Sequence, residues 1–134
     1  MVEFRRVTDD FWVAPQVSEE DVRAAAAAGF RTLVSNRPDG EEAGQPSAEE
    51  VQAWAEQNGM AFLSFPVSGM PTAETALAQD QALTGGDTRT LAFCRTGTRS
   101  IMVWALAQSA RGRPRDELLE AGAAAGYDLS KLPI

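Results

Sequence analysis

The sequence predicts an α/β domain, a three-layer sandwich whose central sheet is mostly parallel and carries helices on both faces. Short apolar segments at 11–14, 30–35, 60–65 and 90–94 alternate with stretches of helical periodicity, the order that gives parallel strands joined by crossover helices. The helical stretches open on residues that cap well, Ser18, Ser47 and Thr72. Polar loops rich in glycine and proline leave the segments at 30–35 and 60–65, and an open α/β sheet places its ligand crevice at such carboxyl ends. The 134 residues suit one domain, 1–134, long enough to bury a sizeable core and free of internal repeats.

In chain order, residues 4–7 and 11–14 read as short strands around the polar turn Thr8-Asp9-Asp10, with Phe11 and Trp12 packing against the sheet edge. Ser18 caps a helix with Glu19-Glu20-Asp21 in its first turn; the alanine run 24–28 supplies propensity, and Gly29 ends it. Segment 30–35 is apolar enough for a strand covered on both faces. Ser47-Ala48-Glu49-Glu50 resembles a capping box and opens a helix through Val51, Trp54 and Ala55 to Gly59, with Trp54 in the core. A strand at 60–65 and a loop at 66–71 follow. Thr72 caps a helix over 73–83, which Gly85-Gly86-Asp87 break before the strand at 90–94. The next helix runs from Ser100 to about Ala110 and is ended by Gly112 and Pro114. A last helix around Leu118, Leu119 and 121–125 is closed by Gly126, leaving 127–134 as a tail.

Composition narrows the function classes. A net charge of −7 argues against a nucleic-acid partner. Without histidine, Ser-His and Cys-His catalysis are excluded; one cysteine among carboxylates makes a poor zinc set, so neither metal nor cofactor is expected. A lone cysteine forms no internal disulfide, residues 1–10 lack the apolar stretch of a signal peptide, and no run reaches membrane-spanning length. The expected location is the cytoplasm, away from membranes.

The chemistry concentrates in Leu91-Ala92-Phe93-Cys94-Arg95-Thr96-Gly97-Thr98-Arg99-Ser100, which reads as strand, anion-cradling loop and helix. Cys94 stands at the strand's end, with the backbone N–H groups of Arg95 to Ser100 turned around it and the positive end of the next helix beside it. Such surroundings favour a thiolate nucleophile and an anionic substrate. Arg99 brings a cation able to grip an anion bidentately, Gly97 permits a positive φ, Ser100 stands within reach of the thiolate, and Arg95 faces solvent and steers anions. Thr96 and Thr98 complete the anion-binding loop. A structural turn has no use for two arginines, a glycine and three hydroxyls in six residues. In the loop 36–46, Arg37 is a candidate anion ligand and Asp39 a candidate proton donor or partner of an arginine.

Cys94-Arg95-Thr96-Gly97-Thr98-Arg99-Ser100 resembles the active-site loop of single-domain rhodaneses and, more loosely, the phosphate loop of protein tyrosine phosphatases. Together with Gly29-Phe30-Arg31-Thr32-Leu33-Val34-Ser35-Asn36-Arg37-Pro38-Asp39-Gly40-Glu41, Gln45-Pro46 and Pro66-Val67, it resembles the phosphatase-like domain family found alone or fused to metallo-beta-lactamase-like hydrolases, over roughly residues 1–110. The resemblance implies a tyrosine phosphatase-like fold, Cys94 as nucleophile, and a metallo-beta-lactamase-like hydrolase as partner. That family is described both as phosphatase-like and as a sulfur transferase, so its name leaves the reaction open.

Two details separate the reactions. Tyrosine phosphatases carry five residues between cysteine and arginine and a histidine before the cysteine; here there are four, and Phe93 precedes. The loop 66–71, which occupies the place of their mobile aspartate loop, has no acidic residue. A shorter cradle suits a terminal sulfur better than a phosphoryl group, and a persulfide needs no acid to leave. The sequence therefore favours transfer of sulfane sulfur from thiosulfate or a persulfide through Cys94. Hydrolysis of a phosphomonoester through a phosphocysteine is the alternative, and a non-catalytic anion-binding or redox-sensing module the second alternative.

Overall fold

The computed structural model describes residues 1–84 and 89–134. Strands β1 (Arg5–Arg6), β2 (Phe11–Ala14), β3 (Phe30–Ser35), β4 (Ala61–Ser64) and β5 (Arg89–Phe93) form one sheet in the order β1-β2-β5-β3-β4. Only β1 runs antiparallel, against β2; the β2·β5, β5·β3 and β3·β4 pairs are parallel. Helices α1 (Glu19–Ala27), α2 (Ala48–Gln57), α3 (Ala73–Leu83), α4 (Thr98–Ala110) and α5 (Arg115–Ala124) cover it.

The alternation of each strand sorts its side chains between two cores. Ala14, Leu33, Leu91 and Phe93 pack with Val22 and Ala25 of α1 and Val51 and Ala55 of α2. Val13, Val34 and Ala92 face the opposite way, toward Ala76 of α3, Ile101, Val103 and Trp104 of α4 and Leu118 of α5. The crossovers through α1 and α2 lead outward to β4 on one face, and α3 returns across the other to insert β5 between β2 and β3, as right-handed connections require. Chain direction across the sheet therefore reverses at β5, whose carboxyl end is the switch point where such folds bind ligands.

Helix starts follow the caps expected. Ser18 and Ser47 accept from the backbone N–H groups of Asp21 and Glu50, whose carboxylates return the contact, and Thr72 accepts from Thr75. Several bounds differ from the expectation. β1 shrinks to two residues, β4 is shorter at both ends, and α4 begins at Thr98 because Gly97, rather than Thr98 or Arg99, makes the turn. Phe11 is core, stacked on Trp104 with ring centroids 6.4 Å apart, whereas Trp12 sits edge-on to Phe30 and Trp54 is half-buried. The break expected at Gly85-Gly86-Asp87 lies outside the described residues. No helix among the described residues is long and apolar enough to cross a membrane.

The ladder continues past the strand ends: Asn36 N–H donates to Phe93 O at 2.8 Å, Phe65 N–H to Ser35 O at 2.9 Å, and Val67 N–H to Asn36 O at 2.9 Å. The fully buried Asn36 then uses its side-chain amide to bridge two elements, donating to Phe65 O at 2.9 Å and to Gln79 Oε1 of α3 at 2.7 Å. Both donor hydrogens of the Asn36 amide are thus paired, its Oδ1 being left without a partner among the described residues, and a buried N–H is costly when its hydrogen bond is lost. Gln79→Ala leaves an Asn36 donor short of a partner and opens a void, and should lower stability in urea unfolding by about 2 kcal/mol. A loss below about 0.5 kcal/mol would mean that the bridge does not anchor α3.

Candidate active site

Cys94, the residue after β5, has no exposed surface. Gly97 caps α4 at φ +89°, and this turn aims its N–H back at Cys94 Sγ, 3.1 Å away. Any other residue is unsuited here, because the left-handed φ is strained for a side chain and a Cβ would run into the Tyr127 hydroxyl. Thr96 Oγ1 donates to Thr98 Oγ1 at 2.9 Å and accepts from the Thr98 N–H at 3.4 Å, closing the turn. Arg95 O accepts from Gln16 N–H at 3.3 Å, fastening the loop to the segment after β2. The positive end of α4 thus lies beside the sulfur.

Arg99, in the first turn of α4, is held from two sides. Its Nη1 donates to Val67 O at 2.7 Å and to Glu41 Oε2 at 2.7 Å, while Nη2 donates to Glu41 Oε1 at 2.8 Å. Glu41 is fixed in turn by Arg37, whose Nε donates to Oε1 at 3.0 Å. The Arg37 side chain is only 2% exposed, and its other nitrogens donate to Gln16 Oε1 at 3.0 Å and Glu42 Oε1 at 3.2 Å. Hydrogen bonds from Arg99 hold the Glu41 carboxyl down to about 2, with Arg37 adding to them against a partial burial that pushes the other way. Glu41 holds Arg99 protonated more firmly than a free guanidinium, and negative charge on Cys94 adds to the effect. Cysteine, arginine and carboxylate form one electrostatic chain.

The structure brings Cys94, Arg95, Thr96, Gly97, Thr98, Arg99 and Ser100 together as one loop and helix start. Arg95 points outward, its side chain 64% exposed and 3.8 Å from Glu42. Of the loop amides, Gly97's is the one that donates to the sulfur among the described residues. Ser100 Oγ is buried without a hydrogen-bond partner, so it does not bond the thiolate in this state. Two expectations for the loop 36–46 are corrected. Asp39 is turned away from the cysteine loop: its Oδ1 accepts from Ala48 N–H, the first amide of α2, at 2.8 Å. Arg37 lies under the site rather than in it, because all three guanidinium nitrogens are taken by Glu41, Glu42 and Gln16.

Glu41 is a site residue that the sequence alone does not single out. Its spacing of four from Arg37 was the available signal, though in a loop that spacing carries no rule of contact. Gln16 and Tyr127, 78 and 33 positions from Cys94 in the numbering, offered no local signal at all.

Because the Glu41 carboxyl is lowered in the folded chain, its contribution to stability is complete above its ordinary value of 4.5 and is lost as pH falls from there toward 2. Glu41→Gln should therefore flatten the fall in unfolding free energy between pH 4.5 and pH 2 relative to the parent chain. Parallel curves for the two proteins in acid urea titrations would rule out this ion-pair chain as a source of stability.

The family described as beta-lactamase hydrolase-like protein, phosphatase-like domain, matches residues 3–111. A beta-lactamase hydrolase-like protein of Xylella fastidiosa (strain Temecula1 / ATCC 700964) is 34% identical over 121 residues, 89% of this chain. The chain spans little more than a quarter of that relative's length, 28%. Among solved structures, a candidate phosphatase from Neisseria meningitidis superimposes with a TM-score of 0.84 at 31% identity, over 94% of this chain and 90% of its own. Tk-PTP in its active form aligns with a TM-score of 0.72 at 20% identity, over 93% of this chain and 86% of its own, a likeness of fold. With its mostly parallel sheet between helices and its cysteine loop at the switch point, the chain belongs to the beta-lactamase hydrolase-like protein, phosphatase-like domain family.

Proposed function

We propose that this chain is a thiolate enzyme that transfers sulfane sulfur through a persulfide on Cys94. The tyrosine phosphatase-like fold is the common ground with the structural neighbours, and Cys94 at its switch point is the nucleophile this reading uses. The choice of reaction rests on one observation: all three carboxylates of the loop beside the site are engaged as acceptors, Glu42 taking a hydrogen bond from Arg37 Nη2 at 3.2 Å. Glu41 stays ionised between two arginines, with its pKa at about 2, and Asp39 accepts from the start of α2. Cleaving a phosphoester calls for an acid to protonate the departing oxygen, whereas sulfite or a thiolate departs without one.

In the proposed cycle the Cys94 thiolate attacks the outer sulfur of thiosulfate or of an organic persulfide. The new S–S bond forms as the donor's S–S bond breaks, and sulfite or the donor thiolate leaves with the electron pair. An acceptor thiolate or cyanide then attacks the outer sulfur of the Cys94 persulfide and restores the Cys94 thiolate. Gly97 N–H and the start of α4 stabilise the negative sulfur in both states. Arg99, whose two Nη atoms Glu41 and Val67 O take, supplies the fixed cation for the anionic donor through its Nε, and exposed Arg95 draws the donor in.

Phosphomonoester hydrolysis is the second reading, favoured by the description of the Neisseria meningitidis neighbour as a candidate phosphatase. Turnover separates the two. With thiosulfate and cyanide, the protein should form thiocyanate catalytically, and Cys94→Ser should lose about a thousandfold or more of that rate. Arg99→Lys, which keeps the charge but loses the fork, should cost about tenfold in kcat/KM for thiosulfate. Release of phosphate from an aryl phosphate, abolished in Cys94→Ser and without thiocyanate formation, would replace the sulfur reading with the phosphatase one. Stoichiometric labelling of Cys94 without turnover of either substrate would leave a redox-sensing module.

A further inference from the structure

Tyr127, beyond α5 and outside residues 3–111 that match the family, reaches back across the molecule to the cysteine loop. Its hydroxyl donates to Thr96 O at 2.9 Å. The Thr96 carbonyl and the Gly97 N–H belong to the same planar peptide unit, and that N–H is the donor to Cys94 Sγ at 3.1 Å. The unit is thus gripped at both ends, by a phenol on its oxygen and by the sulfur on its hydrogen.

We infer that Tyr127 is a positioning residue for the nucleophile: through the Thr96–Gly97 peptide it orients and polarises the N–H that stabilises the Cys94 thiolate. A carbonyl that accepts a hydrogen bond makes its own amide a stronger donor, and rigid planarity passes the orientation along with the polarisation. The inference deepens the reading of Cys94 as the nucleophile and rests on it.

The surroundings of the phenol serve this role. Arg5, on β1, lies over the Tyr127 ring with its guanidinium carbon 5.4 Å from the centroid, and donates to Ala125 O at 3.1 Å. Gly126, at φ +92°, has no Cβ because Arg5 occupies that space. Glu3 pairs with Arg5 at 3.0 Å, so the charges facing the phenol are Arg5, Glu3 and Cys94, while those facing the sulfur are Arg99 and, behind it, Glu41. Burial raises the phenol above its usual value, and it keeps its proton as a donor at neutral pH. The hydroxyl fills the space that a Cβ on Gly97 would need, so the phenol packs directly over this peptide.

The test uses the reaction of Cys94 with iodoacetamide, which needs no turnover and so reports on this inference whichever reaction the enzyme performs. Tyr127→Phe keeps the ring and removes the hydroxyl. Its alkylation profile should move to higher pH by about half a unit, with a rate about threefold lower on the acidic side. Tyr127 is the only tyrosine in the chain, so growth on 3-fluorotyrosine changes this phenol alone. The more acidic phenol is a stronger donor and should shift the profile the opposite way, to lower pH. An unchanged profile in Tyr127→Phe overturns the inference. So does a shift in Tyr127→Phe with no response to fluorination, which would reduce Tyr127 to a packing contact.

Discussion

A buried guanidinium, that of Arg37, governs the open end of this sheet. A cation with 2% of its side chain exposed needs carboxylates and carbonyl oxygens around it, and the chain supplies them by folding the loop after β3 back over the arginine. Glu41 is thereby placed where its two oxygens serve Arg37 and Arg99 at once. Arg99 is then pulled against Val67 O, joining the loop after β4 to the same point. Three loops from three strands thus depend on one desolvated charge. Removing any single partner leaves the others carrying an unbalanced ion, a situation far more costly than the pair is worth.

This arrangement also sets the chemical character of the site. The cysteine sits at a strand end, beside a helix start, where one amide is turned onto its sulfur by a glycine that must take a left-handed conformation. The positive charge nearby is fixed by a carboxylate and does not sweep through solvent, so little ordering remains to be done when an anion arrives. The same carboxylate cannot act as an acid while two arginines hold it ionised. A stabilised negative sulfur beside a carboxylate held ionised is what the proposed sulfur transfer rests on, since expelling an alkoxide calls for an acid and expelling a thiolate does not.

Much of the fold was legible because it rests on local rules. Ser18, Ser47 and Thr72 cap the helices they were expected to cap, and the apolar segment 30–35 is the strand covered on both faces that its composition implied, with Leu33 and Val34 on opposite cores. The cysteine loop was legible for a similar reason: cysteine, glycine, hydroxyls and arginine fall within seven consecutive residues and make their geometry among themselves. Asp39 and Arg37 were read as facing the ligand because they leave a strand at its carboxyl end, but backbone position does not determine which way a loop side chain turns. Ala48 N–H drew the first and Glu41 with Glu42 the second. Tyr127 was out of reach of any local pattern, since its partner is 31 residues earlier and is a backbone carbonyl, which leaves no mark on side-chain identity.

The lone cysteine has a consequence for traffic through the site. With no second thiol in these 134 residues, none of them could take over a sulfur that Cys94 carries in the proposed cycle. Cys94 is fully buried, with the Gly97 N–H of the helix start on its sulfur. In the proposed cycle, donor and acceptor would therefore visit in turn, in a double-displacement order. On that reading, a molecule between visits would carry one sulfur and wait on the supply of acceptor in its surroundings.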